Sequence, residues 1–104
     1  MLLFKKKFLP AIRSGEKTQT IRLWKFRMMR PGQRSYIPGA GYIAIDRVEA
    51  VKLEDLTDAD AVPDGFPTAD SLRHELATIY GDKLKAGYQA FRIAFRVTEP
   101  VGKK

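Results

Sequence analysis

An ammonium, two hydroxyls and a guanidinium lie close together at Lys17, Thr18, Thr20 and Arg22, inside the stretch Gly15-Glu16-Lys17-Thr18-Gln19-Thr20-Ile21-Arg22. Side chains of these types can build a polar site without a metal or a thiolate, although clustered polar residues are only a statistical pointer to function. A solvated helix–turn–strand accounts for the same residues. A second group follows directly: Lys25, Arg27 and Arg30 interleave with Trp24, Phe26, Met28 and Met29, and no acidic residue occurs between Lys17 and Ile45. Basic residues alternating with aromatics suit single-stranded nucleic acid, combining phosphate attraction with base stacking. The competing assignment puts Trp24 and Phe26 in the core and the basic residues in solvent. The chain has no Cys and one His, His74, so a thiolate or His-based metal cluster is excluded and no cofactor is expected. A lone imidazole at His74 is expected to be solvated.

The surrounding pattern must position these groups. Gly15 can take φ > 0, so a short helix over 8–14, with Pro10 in its first turn, is predicted to end there. Alternation from residue 18 predicts a strand with Thr18, Thr20 and Arg22 on one face and Gln19 and Ile21 on the other, with Lys17 at the hinge. Residues 2–4 read as a short first strand, and the lysine run 5–7 as a charged edge device against aggregation. Pro31-Gly32 marks a turn before a strand over 33–37, and Pro38-Gly39-Ala40-Gly41 marks the hairpin connection into a long strand over 42–53. Imperfect alternation predicts a bulge near Arg47. Thr57 and Asp60 form a capping-box pair for a one-turn helix. After an irregular loop over 62–67, Thr68 caps a helix over 69–80 that Gly81 ends. Leu72, Leu76, Ile79 and Tyr80 make its buried stripe. A last strand over 89–97 points Phe91, Ile93, Phe95 and Val97 inward and Arg92 and Arg96 outward. The tail over 101–104 is expected to fray.

The expected fold is therefore α+β: one domain over 1–104, a small curled β-barrel of about five to six mostly antiparallel strands with one short and one longer helix. Its length of 104 residues suits a single core. No apolar run approaches the roughly 20 residues that span a bilayer, and the N-terminal charges follow the apolar residues, the reverse of a signal peptide. A cytoplasmic protein with no membrane partner and no metal is expected. The net charge of +7 is uneven: residues 1–45 carry ten Lys/Arg against one acid, and residues 46–82 carry ten acids against three bases. A basic N-terminal half suits a polyanionic partner such as RNA.

Four pieces in order, Gly15-x-Lys17-x-x-x-x-Arg22, Arg30-Pro31-Gly32-Gln33-Arg34, Leu56-Thr57 leading to Asp64-Gly65-Phe66, and Phe91-Arg92-Ile93-Ala94-Phe95, resemble the ASCH family across nearly the whole chain. The resemblance implies a PUA-like β-barrel and a role in RNA binding or in RNA- or nucleoside-directed hydrolysis. One small bacterial branch hydrolyses 4-N-acetylcytidine to cytidine and acetate. In that branch a Lys, a Thr three residues later and a loop Glu are implicated; Lys17 and Thr20 match the first two. Asp64 stands at the Glu position, with a carboxylate one methylene shorter. The resemblance implies Lys17, Thr20 and Asp64 as the catalytic trio.

The primary expectation is an RNA- or modified-nucleoside-binding domain whose basic cleft uses Arg22, Trp24, Lys25, Arg27, Arg30, Arg34 and Phe66. The alternative is an enzyme in the same cleft, with acylated-cytidine amidohydrolysis ranked above metal-independent ribonuclease chemistry. In the amidohydrolase, Thr20 attacks the acyl carbonyl with Lys17 as base, or Asp64 activates water with Lys17 as oxyanion donor. A protein-interaction domain presenting Trp24, Phe26, Met28 and Met29 is the third reading.

Overall fold

A computed structural model describes residues 2–84 and 86–100; the tail over 101–104 lies outside them. Four strands, β1 (Gln19–Trp24), β2 (Arg34–Ile37), β3 (Gly41–Val51) and β4 (Gln89–Pro100), form one antiparallel sheet in the order β1-β4-β3-β2. The sheet curls into a half-barrel and carries three helices, α1 (Leu9–Ser14), α2 (Asp58–Ala61) and α3 (Ala69–Tyr80), which makes the domain α+β. Two register irregularities bend the β3–β4 ladder, between Tyr42 and Ile43 and between Ile45 and Arg47. The second is the predicted bulge, since Asp46 has no partner across the pair.

The sheet is covered on both faces. Ile43, Ile45, Phe91, Ile93 and Phe95 pack with Ile12 of α1 inside the curl. On the other face Ile21, Leu23 and Ala90 meet Ala61, Leu72 and Leu76 of α2 and α3. The α2 helix carries the capping box predicted at Thr57/Asp60, and α3 is capped by Thr68 as predicted, with Ser71 completing a second box. This second layer changes the reading of Arg92. It does not project into solvent but is half-buried beneath α2, paired with Asp60 at 2.7 Å and Glu49 at 3.3 Å. The helical stripe also stops earlier than predicted: Leu72 and Leu76 are buried, while Ile79 is 46% exposed. His74 is exposed, as expected.

Four strands, rather than five or six, are present among the described residues. Residues 2–4 contribute a single ladder-like bond, from Leu2 N–H to Tyr36 O at 3.0 Å, before the chain tightens into a 3-10 turn at Lys6–Phe8. So short a segment cannot sustain a ladder. The lysine run therefore sits on no edge strand; Lys5 and Lys7 instead pair with Glu75 of α3 at 3.1 and 3.5 Å. Likewise, the loop over 62–67 is partly regular, with a 3-10 turn at Val62–Asp64 closed by Gly65 at φ +93°.

Gly15 ends α1 at φ +86°, and its N–H bonds back to Ile12 O. Glu16 and Lys17 N–H both reach Ala11 O, so the helix end sets where β1 begins. A Cβ at Gly15 would meet no atom within 4 Å, which leaves backbone conformation as the whole penalty. Gly15→Ala is expected to lose about 1–2 kcal/mol in urea unfolding, and Gly15→Asn less, because Asn tolerates the left-handed region. Equal losses in the two variants would contradict this account of the junction.

Candidate functional site

Three consecutive residues at the start of β1 are bonded to one short segment. Lys17 Nζ donates to Asp64 Oδ1 at 2.7 Å and also to the Asp64 backbone carbonyl. Thr18 N–H donates to Pro63 O at 2.9 Å. Gln19 Nε2 donates to Asp60 O at 2.9 Å and to Asp64 Oδ2 at 3.2 Å. The 3-10 turn after α2 brings Asp64 up to the strand, and Gly65 in the left-handed region lets the chain leave toward α3. A sequence separation of 47 residues between Lys17 and Asp64 is thereby closed.

The pair is almost completely buried. Lys17 is 2% and Asp64 3% exposed. Three rings surround the ammonium: Phe8 at 4.9 Å from Nζ to the ring centroid, Phe4 at 5.7 Å and Phe66 at 6.0 Å. Burial pulls the Lys17 ammonium below the ordinary lysine value, with Arg22 pushing the same way, while the charge and hydrogen bond of Asp64 oppose it. Both carboxylate oxygens of Asp64 accept an N–H, one from Lys17 and one from Gln19.

Thr20 and Arg22 stand on the neighbouring part of the strand. Arg22 Nε donates to Thr20 Oγ1 at 3.1 Å, and Nη2 donates to Leu3 O at 2.7 Å. The guanidinium lies 4.6 Å from the Phe4 ring centroid. Burial lowers its proton affinity, against the opposing influence of Tyr80 and Asp64, but an arginine stays protonated at ordinary pH. These groups line one cavity of about 180 Å³, together with Phe4, Phe8, Phe66 and residues of α3. Lys5 and Glu75 also line it. Burial pushes the Glu75 carboxyl up, yet Lys5 and Lys7 outweigh it and hold the group below the usual glutamate value. Among the described residues no cluster of three or more His, Cys, Asp or Glu is arranged to hold a metal ion.

The cavity therefore unites Lys17, Thr20, Asp64, Arg22 and Phe66. The remaining expected binding residues are elsewhere. Trp24 is half-buried and packs on Phe91 at 5.5 Å between centroids, against the core inside the curl. Lys25 lies over Tyr88, and Arg34 over Tyr42. Arg27 donates to Val48 O at 2.7 Å and lines, with Arg30, a separate shallow depression. In the residues that follow Trp24, Phe26 and Met28 are 75% and 65% exposed while Met29 is buried. Gln19, Phe4, Phe8 and Glu75 were not anticipated as members of the site. Only Gln19 carried a signal, a polar residue on the same strand face as Ile21.

The chemistry of the pair sets its mutational behaviour. Asp64→Ala leaves the Lys17 ammonium buried without its carboxylate and is expected to cost about 3–5 kcal/mol in urea unfolding. Replacing both partners, as Lys17→Met with Asp64→Leu, removes both charges and is expected to recover most of that loss. A double variant no more stable than Asp64→Ala would contradict the description of a desolvated pair.

Comparison with known proteins places the fold and no more. No protein-family model matches the chain, and no curated protein matches it. The crystal structure of protein EF3133 from Enterococcus faecalis V583, a DUF984 protein, is similar with a TM-score of 0.75 at 17% sequence identity, over 94% of this chain and 74% of that one. The crystal structure of the hypothetical protein PH0355 is similar with a TM-score of 0.72 at 17% identity, over 95% of each chain. Among the described residues no helix is long and apolar enough to cross a membrane.

Proposed function

We propose that this is a nucleoside-directed amidohydrolase of the ASCH type, which binds an N4-acylated cytidine in the cavity and hydrolyses the acyl amide. The observation that carries the reading is the meeting of Lys17, Thr20 and Asp64 in the lining of one half-open cavity, with Lys17 bonded to Asp64. The ASCH-like motif residues supply the substrate class. Size points the same way: about 180 Å³ is below the ~300–1,000 Å³ of drug-sized ligand sites. It takes one ring with its substituent, not a length of polymer.

The hydrogen bonds favour one division of roles. Asp64 is 3% exposed and each of its carboxylate oxygens already accepts an N–H, which disfavours it as the group that activates water. A neutral Lys17 amine has two hydrogens, and Asp64 offers two acceptors, Oδ1 and its backbone carbonyl. The amine lone pair is then directed away from Asp64. Burial and Arg22 favour that neutral form, while the charge and hydrogen bond of Asp64 oppose it. Arg22 Nε donates to Thr20 Oγ1 and stabilises the negative charge that develops there. Thr20 Oγ1 attacks the acyl carbonyl carbon, forming a C–O bond, and its proton passes to Lys17. The C–N4 bond then breaks, and Lys17 returns the proton to the leaving N4. Water hydrolyses the acyl-threonine, giving acetate and the free hydroxyl.

Acetate release from 4-N-acetylcytidine tests the proposal. Lys17→Ala is expected to lower kcat/KM by about 10²–10⁴-fold, Thr20→Ala to abolish turnover, and Thr20→Ser to retain part of it. A base acts deprotonated, so the rate falls as pH drops through the Lys17 pKa. That limb is expected below the ordinary lysine value of 10.5, the direction in which burial moves it. Undiminished activity in both alanine variants would overturn the assignment.

A second reading, RNA contact, draws on a separate observation. Lys25, Arg27, Arg30 and Arg34 are exposed together with Phe26 and Met28. If this segment holds single-stranded RNA, affinity is expected to fall steeply with salt, with a log–log slope of about −0.7 per phosphate neutralised, and Phe26→Ala to weaken binding. Salt-independent binding, or none near physiological ionic strength, contradicts this reading.

A further inference from the structure

We infer that Gln19 is the positioning residue of this site: its amide clamps the Asp64 carboxylate so that the shorter acid meets Lys17. The inference rests on the proposed hydrolysis only for its kinetic consequence, since the clamp itself is a matter of geometry.

The carboxylate of Asp64 has one methylene fewer than glutamate, and its position is governed by a 3-10 turn rather than by a long element. A terminal carboxylate torsion is broad, so the turn alone does not fix the plane of the group. Gln19 supplies the missing restraint. Both amide hydrogens of Nε2 are occupied, one by Asp60 O at 2.9 Å and one by Asp64 Oδ2 at 3.2 Å. With Oδ2 held, Oδ1 faces Lys17 Nζ at 2.7 Å.

The anchor on the far side of Gln19 is itself bonded into the fold. Asp60 belongs to the capping box of α2: its carboxylate accepts from Thr57 N–H at 2.8 Å and from Arg92 Nη1 at 2.7 Å. Arg92 lies on β4, the strand that pairs with β1. Gln19 therefore spans two parts of the same fixed frame. It is buried, and no exposed polar role accounts for an amide there. Arranging a supporting residue to lock a reacting one is the usual way such a group is held in geometry.

Lys17 reports on the clamp. The charged groups facing it are Asp64 from the 3-10 turn, Arg22 from β1 and Glu75 from α3, the last itself paired with Lys5 and Lys7. Asp64 is the principal group among these that holds the proton on Lys17. Gln19→Met keeps much of the side-chain volume and removes both donors. The carboxylate then turns from Lys17, which loses its main stabilising partner.

The test is an NMR titration of the Lys17 side chain in the full chain, assigned by comparison with Lys17→Met, for wild type and Gln19→Met. The Lys17 midpoint is expected to move down in the variant, and adding Asp64→Glu to it, whose longer side chain reaches without the clamp, is expected to bring the midpoint back. In the hydrolysis assay kcat is expected to fall about tenfold or more with KM unchanged, as for misplacement of a reacting group. Gln19→Asn, which keeps an amide but withdraws it by one methylene, gives the same comparison if Gln19→Met does not fold. An unmoved or raised midpoint, with only thermal stability reduced, overturns the inference. A lowered midpoint in a protein that never releases acetate upholds the clamp and sinks the hydrolase reading instead.

Discussion

A lysine ammonium and an aspartate carboxylate removed from water must satisfy one another, and in this protein much of the local architecture follows from that requirement. Lys17 and Asp64 are far apart in the chain and each is almost completely buried. An unpaired charge in such a place costs several kcal/mol. The remaining donors and acceptors must therefore be matched as well, and Asp64 is matched on both oxygens and on its carbonyl. The start of β1 and the segment over 60–64 become a single unit.

The two-sided sheet makes room for that unit. One face carries the aliphatic and aromatic core inside the curl, while α2 and α3 cover the other. β1 is an edge strand, which leaves its outer side open to the residues around Leu3 and Phe4. Edge strands are usually blunted by charge or cover. Here the side chains at the edge, Lys17, Thr20 and Arg22, become cavity walls, and the N-terminal segment is tied over them by Arg22 and, at the rim, by the Glu75 pairs. Apolar rings around the Lys17 ammonium lower the local dielectric, so its proton affinity is tunable there and not at the surface.

The features legible in the sequence are those set by neighbours in the chain. Gly15 as a helix terminator, the capping box at Thr57, the N-cap at Thr68, the hairpin at Pro38–Gly41 and the bulge at Asp46 all depend on local stereochemistry, and all are present. The ordered motif also brought Lys17, Thr20 and Asp64 into one candidate set, and the three line one cavity. What was illegible depended on packing partners. Arg92 reads as solvent-facing until α2 lies over it. Phe4 and Phe8 look like ordinary apolar residues flanking a lysine run, yet both face Lys17. The basic segment after Trp24 reads as continuous with the site because it follows Arg22 in sequence; beyond the end of β1 the chain leaves the cavity, and sequence proximity no longer means spatial proximity.

The central claim is that the Lys17–Asp64 cavity, and not the exposed basic segment, receives the nucleoside. A crystal structure of the Thr20→Ala variant with 4-N-acetylcytidine measures this directly. The account predicts the acylated base inside the cavity, with its acetyl carbon beside the vacated Thr20 hydroxyl position and the Lys17–Asp64 bond intact. A nucleoside bound instead along Lys25 to Arg34, with the cavity unoccupied at saturating ligand, would contradict it.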